Sequence, residues 1–88
     1  MSRLDKLLVR MRANPRDVRI GDLLRVLRAR GATVRLVRGS SHVVVSRGAT
    51  RLTVPRPHGT DKVRETYVRQ ALTLFDLWED EDDGPEPS

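Results

Sequence analysis

Residues 32–55 read Ala-Thr-Val-Arg-Leu-Val-Arg-Gly-Ser-Ser-His-Val-Val-Val-Ser-Arg-Gly-Ala-Thr-Arg-Leu-Thr-Val-Pro, and the reading of this stretch decides the fold. Apolar residues recur here with period two: Val34 and Leu36, then Val43 and Val45, then Leu52 and Val54. That is the period of strands with one covered face. Gly39-Ser40-Ser41 and Gly48-Ala49 interrupt it with turn-forming residues, and Pro55 and Pro57 end it by removing ladder donors. The pattern predicts three antiparallel strands, near residues 32–38, 42–47 and 50–54.

Upstream the period changes to that of a helix. Leu4, Leu7, Leu8 and Met11 lie at i, i+3, i+4, i+7 and stop before Asn14-Pro15, so residues 3–13, within an N-terminal segment 1–14, read as an amphipathic helix. Ile20, Leu23, Leu24 and Leu27 repeat the spacing. Asp22 suits the positive end of this second helix, Arg28 and Arg30 its negative end, and Gly31 sits where a left-handed C-cap is wanted, which sets the helix at residues 20–30. Downstream, Val63, Tyr67, Ala71, Leu72, Phe75 and Trp78 form a last helical stripe. It begins at Thr60-Asp61 or, with Thr66 as N-cap, a turn or more later; the later start gives a helix over 64–78. The aromatic residues of this stripe read as core, with Trp78 partly exposed at the helix end. From Glu79 the chain is acidic, ends in Gly-Pro-Glu-Pro-Ser and holds no apolar residue, so residues 79–88 are expected to be a disordered tail. The expectation is an α+β fold in a single domain over residues 1–78, with helices packed on one face of a three-stranded antiparallel sheet.

Composition narrows the functional classes. An 88-residue chain buries only about 60% of the surface it exposes when unfolded, enough for one two-layer core and not for a deep substrate cavity. The sequence has no Cys, hence no disulfide and no thiolate ligand or nucleophile, and His42 and His58 supply too few nitrogens for zinc without carboxylate help. No metal and no cofactor are expected. No apolar run approaches the roughly 20 residues that span a bilayer, nor is there the apolar core of a signal peptide; a cytoplasmic protein without a membrane partner is expected.

The net charge of +5 conceals an asymmetry, because six of the twelve carboxylates fall in the last ten residues. The first 78 residues carry all 17 cations, 15 of them Arg, against six carboxylates. Arg pairs bidentately with phosphate oxygens, so nucleic acid is the natural partner. If the period-two apolar set faces the helices, then Arg35, Val37, His42, Val44, Ser46, Arg51 and Thr53 share the opposite face. His42 would then stand among arginines. A histidine can take and return a proton near neutral pH, and RNA cleavage by its own 2′-hydroxyl needs little more than such a base and cations to steady the phosphate charge. A solvated or capping histidine on a noncatalytic RNA-binding module is the alternative on the same residues.

Taken in order, four segments carry a resemblance over about Lys6 to Leu77. They are Leu-Leu-Arg-Val-Leu ahead of Gly31, the Arg-Gly-Ser-Ser-His turn followed by a valine strand, Leu-Thr-Val-Pro-Arg-Pro-His-Gly at 52–59, and Tyr-Val-Arg-Gln-Ala-Leu at 67–72. The chain resembles the HicA-type (YcfA-like) mRNA interferase toxins of type II toxin–antitoxin systems. The resemblance implies a double-stranded-RNA-binding-like fold, to which the N-terminal helix read from the spacing of Leu4 to Met11 is an extra element beyond the shortest family members. It also implies metal-independent endoribonuclease activity and neutralisation by a HicB-like antitoxin protein. Ser41-His42 matches the Ser-His pair of such toxins, which makes His42 the implied catalytic base and Gly39 the residue that permits the turn. Ser40 stands where many relatives carry Gly. A one-residue shift would set Ser41 against the catalytic histidine, whereas the unshifted alignment keeps His42 directly ahead of Val43-Val44-Val45. Arg35, Arg38, Ser41, Arg51 and Arg56 are the candidate RNA- and phosphate-contacting residues, Arg56 because flanking prolines restrict its backbone. His58, in the loop before the last helix, is a candidate second acid–base histidine.

Overall fold

Each helix begins and ends where local chemistry allows. In the computed structural model, which describes residues 2–82, helix α1 spans Arg3–Ala13. Ser2 and Asp5 form a reciprocal capping box: the Ser2 hydroxyl accepts from the Asp5 amide at 3.1 Å and the Asp5 carboxylate accepts from the Ser2 amide at 3.3 Å. Two donors that a helix start leaves unpaired are thereby satisfied. Helix α2 spans Ile20–Ala29 and closes on Gly31 at φ +87°. The Gly31 amide donates to the Arg28 carbonyl and the Ala32 amide reaches back to that of Leu27, the paired bonds of a Schellman cap. A glycine tolerates that left-handed backbone where a Cβ would not.

The chain then enters strand β1 (Thr33–Leu36), β2 (His42–Arg47) and β3 (Thr50–Pro55), an antiparallel meander in the order β1-β2-β3. Gly48 at φ +59° followed by Ala49, whose φ is not positive, is the pairing a two-residue type II′ hairpin requires. Helix α3 spans Glu65–Asp82. The α1–α2 linker and the loop before α3 are stitched together, with the Ile20 amide donating to the Asp61 carbonyl and the Val63 amide to that of Val18.

Val43, Val45, Leu52 and Val54 on one face of the sheet pack with Leu23, Val26 and Leu27 of α2 and Val68, Ala71, Phe75 and Trp78 of α3. No polar or charged residue is buried among the described residues. The structure is a small α+β domain with three helices and a three-stranded antiparallel sheet, and the alternation in 32–55 accounts for the sheet.

Several expectations need correction. Strand β1 is shorter than residues 32–38, and Leu36, although it shares its face with Val34, is 61% exposed. The reason is its place on an edge strand: β1 leaves α2 through the tight Gly31 turn, and cover thins from buried Ala32 through half-buried Val34 to Leu36. Trp78 is 1% exposed rather than partly open. Thr66 lies inside α3 and is not its cap, since the helix starts at Glu65.

The helix also does not stop at 78. Residues 79–82 continue it, and Glu79, Glu81 and Asp82 meet Arg30 and Arg47. The guanidinium groups that hold this acidic turn also lie over rings, Arg30 at 5.1 Å from the Phe75 centroid and Arg47 at 5.6 Å from that of Trp78. Composition alone argues for a solvated tail, but two half-buried arginines distant in the chain provide the missing partners. The remainder of the expected tail, residues 83–88, lies outside the described residues.

Candidate functional site

The turn between β1 and β2 is built by Gly39. The Ser40 amide donates to the Val37 carbonyl at 3.1 Å, closing a four-residue turn with Gly39 at its third position and φ +78°. That is where a type II turn calls for positive φ. Beyond the turn, Ser41 is held from the other side, because the Arg56 amide donates to its carbonyl at 2.6 Å and so extends the β2–β3 ladder past Pro55.

His42 is the first residue of β2 and is exposed. The register sets it opposite Pro55, and the Val37 amide reaches its carbonyl at 3.4 Å. Arg35, Val44 and Thr53 form the next row on this open face, followed by Thr33, Ser46 and Arg51. The expected sharing of one face by His42, Arg35 and Arg51 therefore holds, but at unequal range. Arg35 is one row away on the neighbouring strand, whereas Arg51 lies two rows along, about 13 Å at the usual strand rise. Val37, 40% exposed, and half-buried Val44 leave apolar surface between them.

Ser40 supplies the contact that the sequence reading did not use. Its hydroxyl lies 2.9 Å from Nδ1 of the His42 ring and accepts from the His42 amide at 3.1 Å. The sequence signal was present: a hydroxyl two residues ahead of a histidine in a turn is a common local side-chain-to-backbone motif.

The 55–58 segment lies against this turn. Gly39, Ser40 and Ser41 on one side, with Arg56, Pro57 and His58 on the other, line an open cleft of about 410 Å³. Across the same segment a second cleft of about 420 Å³ is lined by Pro55, Arg56, Pro57, His58, Thr60, Lys62, Arg64 and Tyr67. His58 and Arg56 thus border both clefts, and His58 shares one of them with the His42 turn although the His42 ring does not line it. Lys62, Arg64 and Tyr67 join the candidate surface only through tertiary packing.

Charge commitment separates the arginines. Several on the helical side are engaged: Arg12 bonds Asp76 through both amino groups at 2.6 and 3.0 Å, and Arg16 and Arg69 share Glu65. Arg12 holds the Asp76 carboxyl below its ordinary range, mainly by hydrogen bonding and against an opposing effect of burial. Arg16 and then Arg69 do the same to Glu65, again chiefly by hydrogen bonds. By contrast Arg35, Arg38, Arg51 and Arg56 form no ion pair among the described residues, so their charge is free to meet an anion. Arg3, Lys6, Arg10 and Arg25, also without ion pairs among the described residues, line a shallow depression between α1 and α2.

Among the described residues no group of three or more His, Asp or Glu side chains converges to hold a metal ion, and no helix is long and apolar enough to cross a membrane. Comparison of the chain with family models, curated proteins and solved structures returned no match.

Proposed function

We propose that this protein is an endoribonuclease toxin of the HicA type, with a double-stranded-RNA-binding-like fold. It acts on mRNA in the cytoplasm without a metal and uses His42 as general base. The observation that carries the reading is an exposed imidazole at the head of β2, with Arg35 one row away and Arg56 paired to the preceding residue. In the proposed reaction the ring takes the proton of a ribose 2′-hydroxyl and the freed oxygen attacks the adjacent phosphorus. As the O2′–P bond forms, the P–O5′ bond breaks, and the 5′-oxygen leaves with a proton returned by the imidazolium or by water. The products are a 2′,3′-cyclic phosphate and a 5′-hydroxyl. Uncommitted guanidinium groups offset the charge that builds on the nonbridging oxygens. His58, across the turn cleft, is the candidate second proton-transfer group.

Control by a HicB-like antitoxin fits the same face. A partner that covers it would bury Val37 and Val44 and would oppose carboxylates to Arg35 and Arg51.

His42→Ala tests the reading. The variant is expected to lose RNA cleavage by at least 100-fold, to keep wild-type RNA affinity with the same salt dependence, and to stop arresting growth on induction. Cleavage by wild type is expected to persist in EDTA. Retained cleavage by His42→Ala would refute the catalytic role of His42, whereas RNA binding without cleavage by wild type would leave the noncatalytic RNA-binding module, whose signature is affinity that falls steeply with salt.

A further inference from the structure

We propose that Ser40 is the positioning residue of His42: its hydroxyl holds Nδ1 and reserves Nε2 for proton transfer. The proposal rests on His42 being the general base. An exposed histidine ordinarily samples three staggered χ1 wells and a roughly two-fold χ2, about six orientations, of which few present a given nitrogen to a substrate. Here one oxygen restrains both ends of the residue, with His42 N–H at 3.1 Å and Nδ1 at 2.9 Å. That oxygen is itself anchored. Ser40 closes the Gly39 turn through its amide, and the next residue, Ser41, is tied by its carbonyl to Arg56.

The hydroxyl has two lone pairs and one hydrogen. One lone pair accepts the His42 amide, which leaves the other for a proton on Nδ1. In that arrangement Nδ1–H donates to Oγ both before and after Nε2 gains a proton, so the base is charged without any reorientation of the serine. The opposite tautomer would need the serine O–H to donate to Nδ1 and then to swing away as the imidazolium forms. The contact therefore favours the tautomer whose free lone pair is on Nε2, and no described residue bonds that nitrogen. A glycine at position 40 would lack this constraint.

The test combines a spectroscopic and a kinetic measurement. Long-range proton–nitrogen spectra of 15N-labelled imidazole, recorded through the titration, are expected to show Nδ1 carrying the proton in neutral wild-type His42. Ser40→Ala and Ser40→Gly are expected to return the ring toward the Nε2–H form preferred by an unconstrained histidine side chain. In RNA cleavage the same variants are expected to lower kcat about five- to tenfold with KM changed less than twofold, and Ser40→Thr, which keeps the hydroxyl, to restore both readouts. Identical imidazole spectra in wild type and Ser40→Ala would overturn the proposal, as would a shifted tautomer with unchanged kcat. Retained cleavage by His42→Ala would instead overturn the reading of His42 as base, and the nitrogen spectra report the Ser40 contact independently of that result.

Discussion

The acidic end of α3 makes a prediction in which the sign of a mutation reverses with its background. Glu79, Asp80, Glu81 and Asp82 occupy the last described turn of the helix, with no basic residue among them. Carboxylates at a helix C-terminus oppose the backbone dipole, each at a cost of about 0.3 kcal/mol at the exposed limit. Arg30 and Arg47 oppose that cost. Their side chains are only 26% and 24% exposed, and between them they make four contacts within 4 Å to Glu79, Glu81 and Asp82. Because the carboxylates are 35–60% exposed, solvent screening limits the four contacts to a total of about 2 kcal/mol.

Neutralising the three acids (Glu79→Gln, Glu81→Gln, Asp82→Asn) removes those contacts and relieves about 1 kcal/mol of dipole repulsion. The expected net is a loss of about 1 kcal/mol in the wild-type background. With Arg30→Met and Arg47→Met, which keep apolar cover over Phe75 and Trp78, the same neutralisation is expected to stabilise by about 1 kcal/mol. For a domain of this size each kcal/mol moves Tm by about 4–8 °C. Thermal unfolding followed by circular dichroism at low salt, over the four-cornered cycle, reads both numbers. The same sign in both backgrounds would refute the pairing of this turn with Arg30 and Arg47.

Two glycines with equal space should respond oppositely to alanine. Neither Gly21 nor Gly39 would bring a Cβ within 4 Å of another group, but only Gly39 has positive φ. Urea unfolding should therefore show Gly39→Ala destabilised by about 1–2 kcal/mol and Gly21→Ala, inside α2, stabilised by about 0.5–1 kcal/mol. Leu27→Ala, at 0% exposure, is expected to cost about 2–5 kcal/mol, whereas Leu36→Ala should stay within about 0.5 kcal/mol; a large loss at Leu36 would mean that the edge strand is covered. Asp76→Asn removes a paired carboxylate whose pKa is lowered in the folded state. Its contribution is therefore present above the ordinary value of 3.8 and is lost as pH falls through the lowered one. The variant should be less stable than wild type at pH 7, by no more than about 1 kcal/mol for so exposed a pair, and the difference should vanish once the pH is below the lowered value.

What the sequence by itself determined is what a few neighbouring residues encode. Alternation over 32–55 set the strands, the helical spacing of Leu4 to Met11 and Ile20 to Leu27 set α1 and α2, and Gly31 and Gly39 marked their turns, because period and backbone preference are properties of short stretches. Strand parity also sufficed to put His42, Arg35 and Arg51 on one face. The Ser40 contact with His42, two residues apart, was equally local and could have been read the same way. Only the tertiary structure decided coverage and charge pairing. Whether Leu36 was open and Trp78 closed depended on how far the helices reach over the sheet. Whether residues 79–82 would order depended on Arg30 and Arg47, and whether His58 would share a cleft with the His42 turn depended on the ladder bond from Arg56 to Ser41. Those contacts join residues that are distant in the chain, such as Arg12 with Asp76 across 64 positions. Burial and electrostatic pairing arise from proximity in space, which no window of a few residues contains.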